Sequence, residues 1–305
     1  MTMPAVTSVI DYEAVASSRG GRLGPLREVW PLWPGLVLLV LAFALPLLLI
    51  FPESVSVKGR LSTAIYRSIA RDSYYWSVIG RSFWLSLVST LICLCLAYPV
   101  AYYLVRVVRP SRARFAYMIV IAPLFTSAVI RAMAWLTILG RRGIVNDALA
   151  YLGLIAEPLR MLYTEEAVVV GLVYIMIPFM VLTIAAVLEN VDGTLEEASR
   201  DLGASPWVTF WRVTFPLSVP GVLAGCFLVF ALCLSSYVTP ALLGGGRHKV
   251  IAMLIFEQFM RTFNWPLGAA LACVLLIATL LIVWGYNRAL SRRFTTRHRV
   301  AGAAA

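Results

Sequence analysis

The sequence predicts an all-α membrane protein with six transmembrane helices, and three observations predict it. Apolar residues make up 61% of the 305-residue chain and charged residues only 13%, against roughly half and a quarter in soluble domains. The apolar residues fall in six blocks, each long enough, at about 20 residues, to cross the hydrocarbon as an internally bonded helix. The 26 Lys and Arg residues lie between the blocks, with Arg131 the one exception. A surface of this kind has lipid as its natural solvent, which excludes a soluble enzyme.

Residues 1–29 form a polar leader whose Ser, Gly and Arg content offers little to bury, so poor order is expected there. The first span runs from Trp30 to Phe51, with Pro31 and Pro34 in the opening turn, where a missing N–H is harmless. It is too long, and follows too long a leader, for a cleaved signal peptide. Leu61 to Ile79, rich in Ile, Tyr and Trp with Arg at intervals, reads as a surface helix on the membrane face. The remaining spans are Ser82 to Val105, Phe115 to Leu139, Ala167 to Leu188, Leu217 to Leu243 and Leu267 to Tyr286. These segments define a transmembrane domain over 30–286, followed by a basic tail over 287–305. No internal repeat signals an inverted two-half transporter.

Charge sets the orientation. With the leader inside, fourteen basic residues are inside and eleven outside. The two densest groups, Arg106, Arg109, Arg112 and Arg114, and then Arg288, Arg292, Arg293, Arg297 and Arg299, both fall inside. Both termini are therefore expected in the cytoplasm. Basic residues placed this way contact headgroups and give no reason to expect nucleic acid. Cys93, Cys95, Cys226, Cys233 and Cys273 lie in apolar blocks without metal-ligand spacing, so neither a disulfide nor a metal site is expected. His248 and His298 sit in polar connections, read as solvated, and no paired carboxylates lie in the spans for acid–base work.

The loop over 192–216 departs from a passive connection. Thr194 followed three residues later by Glu197 is a capping box, and Glu196 and Glu197 suit the positive end of a helix dipole. Gly203 supplies a left-handed stop, and Ser205 with Pro206 opens a second short helix. That helix carries Trp207, Val208, Phe210 and Trp211, an apolar load that marks an interaction surface or lies at the membrane interface. The composition leaves both readings open.

The segment resembles the cytoplasmic signature loop of ABC importer permeases: Glu-Ala-Ala, three residues, Gly, nine residues, then Ile-x-Leu-Pro. Here Glu197-Ala198-Ser199, Gly203 and Val213-Thr214-Phe215-Pro216 keep every spacing. Ala122 to Trp135, Leu139 to Asn146 and Ser235 to Gly245 further resemble the spermidine/putrescine-type permeases, and the likeness covers about Arg71 to Tyr286. The resemblance implies a type I ABC importer permease fold in a bacterial cytoplasmic (inner) membrane. It also implies a second permease subunit, taken as a paralogue, an ATPase dimer that binds ATP and Mg, and an extracytoplasmic solute-binding protein. No cofactor is then expected in this chain, and Gly244 to Lys249 indeed lacks the spacing and terminal hydroxyl of a phosphate loop. By the same resemblance Glu197, Ala198, Ser199, Leu202, Gly203 and Ala204 contact the ATPase.

Within the spans Arg131 reads either as a pathway or gate residue or as a structural Arg on helix-end carbonyls. Trp135, in the same stretch, is grouped with it. Ser235, Ser236, Tyr237 and Thr239 line the pathway or repair backbone freed by Pro240. Gly221 and Gly225 form a small-residue face that packs within the chain or on a second permease. No carboxylate lies in the spans, the nearest being Glu257 in the fifth loop. A polyamine is therefore not favoured over another small charged or zwitterionic solute. A self-sufficient secondary transporter or channel is disfavoured by the missing repeat and the missing intramembrane acids, and a scaffold without transport is the third reading.

Overall fold

Among the described residues five helices are long and apolar enough to cross a membrane, and a sixth span is made if one bent pair is counted together. The computed structural model describes residues 33–57 and 60–301, and divides into two units after Ile50. Helix α1 (Trp33–Ser54) is an apolar helix of 22 residues. The predicted leader lies outside the described residues.

The second unit opens with a short antiparallel pair, β1 (Ser56–Val57) and β2 (Arg60–Leu61), then α2 (Ala64–Arg71) and α3 (Ser73–Arg106). The surface helix expected over Leu61–Ile79 is thus divided. Asp72 accepts the Tyr74 N–H and starts a new helix, which runs into the second span as one 34-residue helix. Nor is α2 simply laid on the membrane, since Ile69 is buried with Val78, Ile251, Leu254, Ala270 and Leu271.

The third span, expected as one helix over Phe115–Leu139, is two. Helix α4 (Pro110–Ile121) passes into a 3₁₀ turn (Ala122–Phe125), Thr126 and Ser127 are extended, and α5 (Ala128–Ile138) leaves at 92°. Pro123 tightens the turn, and Ser127 Oγ caps α5 by accepting the Val129 N–H. Apolar composition continues across the break, so hydropathy alone does not register it. A short α6 (Ile144–Tyr151) follows. Buried Asn146 organises this connection, donating to the carbonyls of Gly140 and Leu159 and accepting the Leu159 N–H.

Helix α7 (Glu165–Glu189) begins at a Thr164 cap, with Glu165 and Glu166 in its first turn. It is the axis of the core. Together with α3 and α10 (Phe215–Ser235) it buries Leu85, Cys93, Leu172, Met180, Ile184, Leu188 and Val229. Close approach depends on glycine: a Cβ on Gly221 would lie 2.7 Å from Val187 Cβ, and one on Gly225 2.8 Å from Met180 Sδ. Both glycines face α7 of the same chain.

The fifth span ends early. α10 stops at Ser235, Ser236 is extended, and α11 (Val238–Leu243) starts afresh. Helices α12 (Ile251–Met260) and α13 (Trp265–Ala301) complete the chain. The Ile251 N–H is capped from α3 by buried Ser82 Oγ at 2.8 Å. The last span and the basic tail are one continuous helix as far as Ala301. Glu257, expected in a loop, lies on α12 and pairs with Lys249 at 2.6 Å. His248, expected to be solvated, is half-buried against Glu165, which also holds Arg81 at 3.1 Å. His298 falls in the stretch of α13 where only the backbone is described.

Candidate functional site

The segment between α7 and α10 is a folded unit. Helix α8 (Thr194–Asp201) ends where Gly203 adopts a φ of +83°, which a side chain disfavours. The Ala204 N–H returns to the Ser199 carbonyl at 3.1 Å, closing the last turn. The expected Thr194–Glu197 capping box is not formed. Thr194 is the first helical residue, and its N–H goes to Asp192 Oδ1 at 2.9 Å. That bond holds the Asp192 carboxyl below the usual carboxylate range.

Ser205 caps α9 (Pro206–Thr209) by accepting the Val208 N–H, as its position suggests. The second helix is not short, however. It continues through a π turn (Phe210–Thr214) directly into α10. Pro216 supplies a reason: it has no N–H to give, and its ring would clash with a carbonyl four residues back in a regular helix. One wider turn relieves both problems.

The loop is braced from behind. Glu196 is 5% exposed and turned into the protein. Its Oε1 accepts from Arg106 Nε and from Thr214 Oγ1, each at 3.0 Å. Arg106 closes α3, where a cation suits the helix dipole, and its Nη2 donates to the Val191 carbonyl beyond α7 at 2.8 Å. One ion pair therefore joins α3, α8, the end of α7 and the start of α10. Ser199 and Thr209 add a hydroxyl contact of 3.0 Å between α8 and α9. Tyr98 of α3 meets Ser218 of α10 at 2.8 Å.

The front of the loop is open. Glu197, Ala198 and Gly203 are exposed, Ser199 and Ala204 half-buried, and Leu202 is 89% exposed. The aromatic load divides in the same way. Phe210 sits edge-on to Tyr98 and Tyr102 of α3 at 5.5 and 5.9 Å, while Trp207 and Trp211 remain exposed, packed against each other at 5.7 Å.

The residues grouped as a pathway each make contacts of their own. Arg131 Nη1 donates to the Pro123 carbonyl, and its Nε is buried without a partner among the described residues. It braces the α4–α5 break. Trp135 packs edge-on to Tyr174 of α7 at 5.6 Å. Ser235 Oγ bonds the Leu232 carbonyl, and Thr239 is buried so close to α7 that a Cβ on Gly171 would lie 2.7 Å from its Cγ2. Ser236 is the extended residue at the break. Ser235 and Tyr237 line a cavity of about 350 Å³ with Phe256 and Phe259; Tyr237 stacks on Phe256 at 4.2 Å.

Sequence reading missed Glu196, Arg106 and Thr214 as a group. Glu196 counted as a dipole complement and Arg106 as an orientation charge, and their separation of 90 residues hides the pair. The signal present was two adjacent glutamates on an amphipathic helix, about 100° apart around its axis, so that one can turn inward while the other faces out.

The model of the binding-protein-dependent transport system inner membrane component matches residues 94–296. The chain belongs to this family. The spermidine/putrescine transport system permease protein PotB of Escherichia coli (strain K12) is 36% identical over 225 residues, 73% of this permease and 82% of that protein. A chain of a bacterial ABC transporter involved in the import of the acidic polysaccharide alginate is 19% identical. It superposes with a TM-score of 0.75 over 88% of the permease and 98% of its own length. A chain of a bacterial alginate ABC transporter in complex with an alginate pentasaccharide-bound periplasmic protein gives 0.72 at 20% identity, over 88% and 96%. The permease thus has the type I ABC importer fold and is a multi-pass protein of the bacterial inner membrane. It is a transport subunit and not an enzyme, and its family implies an ATPase on a separate subunit and a substrate-binding protein as partners.

Proposed function

We propose that this permease forms half of the membrane pathway of an ATP-driven importer and takes its motion from a separate ATPase dimer through the loop over 192–216. The other half is a second permease, a paralogue; ATP and Mg are held by the ATPase subunits. Both termini, and the loop with them, lie in the cytoplasm, and an extracytoplasmic binding protein delivers the solute. The chain then comprises a leader over 1–29, the permease domain over 30–286 and a basic tail over 287–305.

The observation that carries this reading is the two-sided loop. Its back is clamped by Glu196, while Glu197, Ala198, Leu202 and Gly203 are presented outward. Leu202, Trp207 and Trp211 give this one loop three large exposed apolar side chains, a concentration of the kind that marks an interaction surface. The solute is a small charged or zwitterionic organic molecule, with a polyamine first because of the likeness to a spermidine/putrescine permease. Ser235 and Tyr237 are assigned to the pathway because they line a cavity at a helix break.

Co-purification tests the loop. Leu202→Asp should release the ATPase while the permease still accumulates; an ATPase that stays bound refutes the docking surface. Uptake of radiolabelled spermidine by cells carrying the complete importer tests the solute, and uptake that persists with the ATPase inactivated favours a secondary transporter.

A further inference from the structure

The Glu196 carboxylate is bound on two sides by groups far apart in sequence, and neither is on the loop's outer face. Arg106 reaches it from the end of α3, and Thr214 from the π turn that leads into α10. Arg106 also holds the Val191 carbonyl at the end of α7. The pair is largely desolvated, with side chains 17% and 6% exposed, so its partners are held by charge-assisted bonds that water does not screen. A loop joined only at its two ends would swivel about Val191 and Thr214. This one is tied at a third point, to a helix that is not its neighbour in sequence.

We propose that Arg106 and Glu196 are positioning residues which fix the loop to α3, so that movement imposed on the outer face of α8 is delivered to α3 as a rigid body with α7 and α10. Thr214 sets the register of this clamp from the π turn. The proposal rests on the loop reading given above, since it requires that something push on α8. It adds where the push goes. The outer face of the loop chooses the partner, and the buried ion pair chooses the helix that moves.

The test is a distance. Spin labels are introduced as unnatural amino acids at Arg200 on α8 and Tyr103 on α3, both exposed. They are measured in the assembled importer, nucleotide-free and with ATP. A clamped loop keeps the distance between the labels unchanged to within about 2 Å, the scale of ordinary helix shifts. Arg106→Lys keeps the charge but lacks the fork that serves Glu196 and Val191 together, and Thr214→Val removes one hydroxyl; in each variant ATP should shift or broaden the distance. A wild-type distance that changes by more than that on ATP addition overturns the proposal, as do variants that behave like the wild type. Should Arg106→Lys fail to accumulate, the wild type and Thr214→Val are enough to uphold or overturn the clamp. The loop reading fails separately: Leu202→Asp that keeps its ATPase removes both, whereas a released ATPase with a changing wild-type distance removes only the clamp.

Discussion

The loop behind α8 and the break between α4 and α5 each ask one charged side chain to hold irregular backbone, and they are held to different degrees. Glu196 has both partners, and Arg106 donates to both a carboxylate and a carbonyl. Arg131 meets one carbonyl and leaves Nε buried without a partner among the described residues. A buried polar group left unmatched costs about 1 to 3 kcal/mol, so the second site is the weaker joint. The contrast is between a fully paired connection on the loop proposed to dock the ATPase and an incompletely satisfied one where a span is broken.

Four experiments break or sharpen that contrast. The largest effect belongs to Arg106→Met, which strands a buried carboxylate and should cost about 3 kcal/mol, read as a lowered unfolding midpoint of the purified permease. If the midpoint is unmoved, the loop is no stiffer than the break. Next comes Gly221→Leu, which forces side-chain atoms onto Val187 and should cost about 2 kcal/mol by the same assay. A wild-type midpoint would mean that α7 and α10 yield easily and that the core is no stiffer than the broken spans around it.

Arg131→Gln should cost only about 1 kcal/mol, since one carbonyl contact is lost and a buried orphan goes with it. Spermidine uptake that stays within about two-fold of wild type, a change under 0.5 kcal/mol, marks Arg131 as a brace; uptake lost at an unchanged midpoint would make it a pathway group. Smallest is Asp192→Asn. The Thr194 N–H keeps an acceptor, so the midpoint at neutral pH should stay at its wild-type value. The sign with pH is still defined. Because the folded carboxyl lies below its ordinary value, the wild type alone should lose this small contribution as pH falls through the carboxylate range, while the variant is flat there.

Much of this was legible in the sequence. Lipid solvent, the apolar spanning helices and the signature loop follow from composition, block length and fixed offsets. Gly203 and the Ser205–Pro206 start were readable because they depend on the backbone of a few adjacent residues. The capping box was not, because Asp192 takes the Thr194 N–H, the donor that the Glu197 side chain would have to reach in the box. The break at Thr126–Ser127 was hidden for a different reason: hydropathy averages over a window, and an apolar stretch looks the same whether its helix is straight or turned, whereas the polar run Ser235 to Thr239 before Pro240 marked the break at Ser236.

What the sequence determined by itself is therefore the class of solvent, the spans as apolar blocks and the family pattern on one loop, all of them sums or spacings along the chain. Tertiary structure alone decided which of two neighbouring glutamates faces inward, that Gly221 and Gly225 serve α7 of the same chain, and that a loop between α7 and α10 is fastened to α3. Those outcomes depend on which groups meet at about 3 Å after packing, and a contact between residues 90 positions apart leaves no periodic trace in the chain that makes it.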